Sequence, residues 1–149
     1  MFFWGIVVAV LILDQGSKWL VLRYLDIGDS KEIIENLLYL NHVQNPGAAF
    51  GFLAYQTWLF VIVTLLVMAV IIYYLYQLPS HYIVSRLALA LLLGGALGNL
   101  IDRIDTGYVV DFISITFWPP VFNVADMAIV IGIGLFVFSL WKIEKETSD

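Results

Sequence analysis

Gly98-Asn99-Leu100-Ile101-Asp102-Arg103, then Val109-Val110-Asp111-Phe112, then Phe122-Asn123-Val124-Ala125-Asp126: the reading of this stretch decides the fold. Three carboxylates, two amides and a guanidinium stand beside or inside apolar runs long enough to be buried in lipid. Polar groups in such places are costly and call for partners or a chemical role. The rest of the chain explains the setting. Of its 149 residues, 62% are hydrophobic and 13% charged, whereas a soluble domain carries about a quarter charged residues. A chain this apolar lacks the polar surface to cover its own core, so lipid is the expected solvent. The net charge of −5 offers no basic footprint, and nucleic acid is not an expected partner. Without cysteine there is no disulfide, thiolate metal site or cysteine nucleophile. With His42 and His81 as the two histidines, a histidine-rich metal centre is not expected either. The reading calls for no metal and no cofactor.

Four segments reach the roughly 20 residues needed to cross a bilayer: Phe2 to Leu22, Trp58 to Tyr76, Ile83 to Ile101, and Val124 to Trp141. No basic residue precedes the first and no small-residue cleavage site follows it, so it is expected to be a retained span. Trp4, Trp19, Trp58, Trp118 and Trp141 fall near the proposed span ends, where amphipathic rings prefer the headgroup level. Four spans put both termini on one membrane face with the short link 77–82. The long links 23–57 and 102–123 share the other face, and the polar anomalies go with them. Arg86, Lys142 and Lys145 fall on the terminal side and Lys18, Arg23, Lys31 and Arg103 on the other; with Lys18 and Arg103 set aside as held by internal partners, a slight preference for termini inside remains.

Both long links carry strand signals. Lys31 to Val43 reads as a hairpin turning at Glu35-Asn36. Gln44-Asn45-Pro46-Gly47 is a turn, and the small residues after it, Ala48 to Phe52, suit close approach of backbone to a ligand or an ordinary tight re-entry. In the second link Thr106-Gly107 is a turn, Val109 to Phe117 is β-branched and aromatic and therefore extended, and Pro119-Pro120 closes the segment before the fourth span. The fold expected is a membrane all-α protein of four transmembrane helices, with a small extracytoplasmic β-rich cradle and an outer-face loop, in a single domain over 1–149.

The polar residues sort by spacing. Asp14 and Lys18 lie at i and i+4 with the acid first, the favourable order for a helical ion pair, and tethering is the first expectation for them. Ser17 and Lys18 point about 100° apart on a helix and do not meet as a Ser–Lys pair. Asn99, Asp102 and Arg103 share one helix face, with Gly94 and Gly98 forming a GxxxG pair for close packing. Asp102 and Arg103 are expected to form an interfacial pair, the arginine acting as a structural clamp. Asn123 suits a helix N-cap and Asp126 the first turn, which favours its carboxylate form. Asp111 is a lone acid on an extended segment delivered to the same face. It is either a surface-loop acid or the partner of Asp126. Two carboxylates held together share a proton, so one can activate water while the other polarises a peptide carbonyl.

At these residues the chain resembles signal peptidase II, the bacterial lipoprotein signal peptidase family. The likeness covers essentially the whole sequence. It rests on Asp14-Gln15-Gly16-Ser17-Lys18, Asn45-Pro46-Gly47-Ala48-Ala49-Phe50, the run Gly94 to Arg103, Val110-Asp111-Phe112, and Phe122-Asn123-Val124-Ala125-Asp126. The resemblance implies an aspartic endopeptidase that removes the signal peptide of prolipoproteins just before a diacylglyceryl-bearing cysteine. It implies Asp111 and Asp126 as the catalytic pair, with Asp14, Lys18, Asn45, Gly47, Gly98, Asn99, Asp102, Arg103, Asn123 and Ala125 shaping or supporting the site. It further implies membrane lipid and globomycin-type inhibitors as partners, the cytoplasmic membrane as location, cytoplasmic termini and an active site near the outer leaflet. On that reading the 23–57 link is a lid or platform over the substrate. Two other classes stay open on the residues alone: a small transporter or proton conductor using Asp14, Asp102 and Asp126 as carriers, and an assembly protein packing through its glycine-rich helices.

Overall fold

The computed structural model describes residues 2–47 and 53–148. Four long helices dominate it: α1 (Phe2–Tyr24), α2 (Thr57–Gln77), α3 (Ile83–Asp105) and α4 (Val124–Ser148), each long and apolar enough to cross a membrane. At 1.5 Å per residue the 23 residues of α1 or α3 span about 35 Å, more than the hydrocarbon layer. The helices extend beyond the expected spans, and the extension of α3 matters most, because it carries Asp102 and Arg103 inside the helix.

Helix α3 is the axis of the bundle. Over its apolar window 61% of residues are buried, against 28%, 17% and 22% for α1, α2 and α4. Its glycines explain the closeness of its neighbours. A Cβ on Gly94 would sit 2.8 Å from Val10 Cβ on α1, and one on Gly95 would strike the Ala125 carbonyl on α4. A Cβ on Gly98 would press on the Asp14 carboxylate of α1 and on Ala125 together. The small-residue stripe thus packs two helices at once. At the terminal end Phe3, Val7, Ile71, Leu75, Leu89, Ala90 and Leu93 form an apolar core. Ser85 Oγ donates to Ser139 Oγ there at 3.0 Å. Arg86 donates to the carbonyls of Leu75 and Leu78, occupying acceptors left free where α2 ends. The five tryptophans are all more than half exposed, as interfacial anchors should be.

The long links meet in a four-stranded antiparallel sheet of order β1-β2-β3-β4: β1 (Ser30–Ile34), β2 (Leu38–Asn45), β3 (Val109–Ile115) and β4 (Trp118–Phe122). The hairpin β1–β2 turns through Asn36, at φ 54°, as its sequence suggests. Because β2 and β3 come from different links, their pairing fixes both links on one face of the bundle. Val21 of α1 packs with Val110 and Phe112 to seat β3 on the helices. One expectation needs correction. Pro119-Pro120 does not close an extended segment but lies within β4, beyond a turn at Thr116-Phe117. Edge strands tolerate proline because one row of N–H groups is not needed for pairing, and β4 pairs through its flanks, Ile113 with Phe122 and Ile115 with Trp118. The small-residue run 48–52 lies outside the described residues.

Candidate active site

The site assembles where α3 and α4 meet β2 and β3. Helix α4 starts with a reciprocal cap: Asp126 N donates to Asn123 Oδ1 at 2.9 Å, and Asn123 N donates to Asp126 Oδ2 at 3.2 Å. This is the capping-box arrangement with an aspartate in the outer position. It leaves Asp126 Oδ1 for another donor, and Asn99 Nδ2 of α3 supplies it at 2.8 Å. The cap expected from sequence is therefore present, and its acid is at the same time a member of a larger network.

Asp111 is 3% exposed on β3, so it is no surface-loop acid. Asn123 Nδ2 donates to its Oδ1 at 2.7 Å, and Asn45 Nδ2 of β2 donates to its Oδ2 at 2.9 Å. Asn123 thus joins the two carboxyls, holding Asp111 with its side chain and Asp126 with its backbone. Burial pushes the Asp111 carboxyl up to about 7, against the opposing hydrogen bond from Asn45, and the neighbouring Asp126 charge pushes the same way as burial. An open cleft of about 530 Å³ borders the pair, lined also by Asn45, Gly47, Asn99, Arg103, Trp118 and Phe122 among others.

The amide orientations are dictated by groups that can only donate. Lys18 Nζ donates to Asn99 Oδ1 at 3.0 Å, which turns the Asn99 N–H2 towards Asp126. Asn123 Oδ1 is held by the Asp126 backbone N–H, which turns its N–H2 towards Asp111. Behind this layer, Lys18 Nζ lies 2.8 Å from both Asp14 and Asp102. The i,i+4 pair of α1 is as the spacing suggests, but Asp102 completes a triad. The other Asp14 oxygen accepts from the Ala125 N–H at 2.9 Å, fixing the first turn of α4 to α1. Ala125 is fully buried against the Gly98 backbone, which leaves no space for larger side chains.

The expected Asp102–Arg103 pair is not what forms. Neighbours on a helix diverge by about 100°, the same geometry that separates Ser17 from Lys18. Asp102 turns inward to Lys18, Gln15 Nε2 and the Val110 N–H, while Arg103 turns to the cleft. The guanidinium donates to Gly47 O and Asn99 O and stacks over Phe60 of α2 at 5.0 Å. It clamps the β2 turn to α2 and α3. Gly47 N in turn donates to Asn45 Oδ1, which directs the Asn45 amide N–H2 at Asp111. Sequence reasoning missed Gln15 as a site residue. It also missed Phe60. Gln15 stood beside Asp14 in a quoted motif, and its donor to Asp102 could have been sought once that acid was placed in the helix. Nothing in the sequence around Phe60 marks it.

Comparison with known proteins gives a consistent result. A family model described as signal peptidase (SPase) II matches residues 6–142. The chain is 43% identical over 149 residues to the lipoprotein signal peptidase of Halalkalibacterium halodurans, covering 98% of this chain and 96% of that one. It is 49% identical over 131 residues to that of Moorella thermoacetica, covering 88% and 87%. A solved structure described as a bacterial membrane enzyme at 2.3 Å superposes with a TM-score of 0.90 at 37% identity, covering 95% of this chain and 88% of that one.

Proposed function

The chain belongs to the signal peptidase II family of membrane hydrolases, and from that premise we propose that it is an aspartic endopeptidase using Asp111 and Asp126. The substrate is a prolipoprotein whose cysteine bears diacylglyceryl, cut on the N-terminal side of that cysteine. The enzyme sits in the bacterial cytoplasmic membrane with its termini in the cytoplasm and its cleft at the outer leaflet. A membrane-anchored substrate reaches such a cleft by lateral diffusion, and water enters from the aqueous side. Globomycin-type inhibitors occupy the same cleft.

The observation that carries this reading is Asn123, which donates to both carboxyls at the wall of one open cleft. Asp126 acts as the base. It removes a proton from water, whose oxygen attacks the scissile carbonyl carbon. Protonated Asp111 donates a hydrogen bond to the carbonyl oxygen as negative charge develops there. The tetrahedral intermediate then collapses, the C–N bond breaks and the leaving nitrogen takes a proton from the dyad. Asp14 and Asp102 are committed to Lys18, which argues against their use as proton carriers in a transporter.

The test is cleavage of a lipidated prolipoprotein by purified protein in detergent. Asp111→Asn and Asp126→Asn each abolish the mobility shift while the variants stay folded. Persistent cleavage by either variant sinks the dyad.

A further inference from the structure

Asn45 reaches Asp111 because of an irregularity in β2. Leu40 pairs with Ile113, but Val43, not His42, pairs with Asp111. Asn41 and His42 of β2 therefore stand opposite the single residue Phe112 of β3, and the extra residue at Asn41-His42 is a β-bulge. Strand side chains alternate, so a one-residue slip exchanges faces. Without the bulge, His42 and Gln44 would share the Asp111 face. With it, Val43 and Asn45 do.

The bulge is tied to the end of α1 by one residue. His42 N donates to Asp29 O at 3.1 Å, Gly28 N donates to His42 O at 2.9 Å, and His42 Nδ1 donates to Leu25 O at 2.9 Å. Leu25 N itself bonds Val21 O, so Leu25 continues the last turn of α1 and its carbonyl is one of the acceptors a helix end leaves free. A carbonyl only accepts, so Nδ1 carries the hydrogen of this bond. Among the described residues His42 Nε2 is a buried side-chain atom without a partner, on a ring only 4% exposed. An apolar ring of similar size would fill the space without burying an unpartnered nitrogen. What histidine adds there is the Nδ1 donor.

We infer that His42 is a positioning residue: its imidazole pins the β2 bulge to the end of α1 and so selects Asn45, rather than Gln44, to face Asp111. The inference rests on the assignment of Asp111 to the chemistry. The role is held 25–29 to 42 to 45 to 111, through backbone pairing and one side-chain donor, and His42 touches no reacting atom.

The test is a double-mutant cycle on prolipoprotein cleavage with His42→Phe and Asn45→Ala. Each single change lowers kcat roughly 10- to 100-fold, the range a small misplacement of a reacting group produces, with KM within about twofold. In the Asn45→Ala background His42→Phe costs nothing more. His42→Asn, whose amide nitrogen reaches the Nδ1 position, restores most of kcat. Should His42→Phe not accumulate as folded protein, His42→Gln replaces it in the cycle, since its amide reaches the Nε2 position instead and must also lose kcat. Losses that multiply in the double variant, or unchanged kcat in His42→Phe or Gln, overturn the inference. Activity surviving in Asp111→Asn would instead remove the mechanism itself, so the two failures are distinct.

Discussion

The two ends of the bundle solve burial differently. At the terminal end α3 meets α1, α2 and α4 through Phe3, Val7, Ile71, Leu75, Leu89 and Leu93, with Ser85–Ser139 as a modest polar contact. At the sheet end the same helices bury Asp14, Lys18, Asn99, Asp102, Asn123 and, from β3, Asp111. The apolar end is redundant: each side chain contributes through many weak contacts. The polar end is a chain of single donors and acceptors, and loss of one strands the next. That difference teaches where substitutions are felt and how: in stability alone at the apolar end, in stability and catalytic geometry together at the polar end.

The largest stability effect is expected at Lys18. Lys18→Met leaves Asp14 and Asp102 buried without their cation and lets the Asn99 amide turn. Breaking a buried pair from one side costs about 3–5 kcal/mol, and thermal unfolding in detergent should read a loss of that size. Leu93→Ala, a fully buried side chain at the apolar end, comes next at about 2–4 kcal/mol, and unlike Lys18→Met it should leave kcat of the surviving folded enzyme unchanged. A variant of Leu93 that altered kcat would blur the comparison between the two ends.

Asp111 gives an effect with a sign that depends on pH. Its carboxyl stands near 3.8 when unfolded and is raised to about 7 in the fold by burial. The neutral form therefore supports the fold fully below pH about 4, and that support is lost as pH rises through 7. Asparagine has no such loss. The stability of Asp111→Asn relative to the parent should accordingly rise between pH 4 and 8, by about 4 kcal/mol from the size of the shift, measured by melting across that range. A difference independent of pH would show that Asp111 is not held neutral. The smallest effect belongs to Ser85→Ala, which removes one interhelical hydrogen bond worth about 0.6 kcal/mol in a membrane protein.

The helices, the hairpin and the shared face of the two long links were legible because apolar run length, turn residues and the count of four spans are local or additive signals. The N-cap at Asn123 and the Asp14–Lys18 pair were legible as short-range spacing. Asp102 was misjudged because its partner, Lys18, lies on another helix, and spacing within α3 cannot report it. Pro119-Pro120 read as a stop because proline disrupts central strands, whereas whether a strand is an edge depends on the whole sheet order. The bulge at Asn41-His42 has no local signature, since it follows from pairing with β3. Asp111 and Asp126 were brought together on paper by topology and motif, and the hydrogen bonds through Asn123 are a three-dimensional fact that no spacing contains.

The central claim, that Asp111 holds the proton with which it polarises the scissile carbonyl, is tested most directly by the pH dependence of kcat/KM for a lipidated prolipoprotein. That profile reports groups in the free enzyme. The account predicts an alkaline limb in which activity falls as one proton is lost near pH 7. Activity that stays level or climbs from pH 7 to 9 would contradict it.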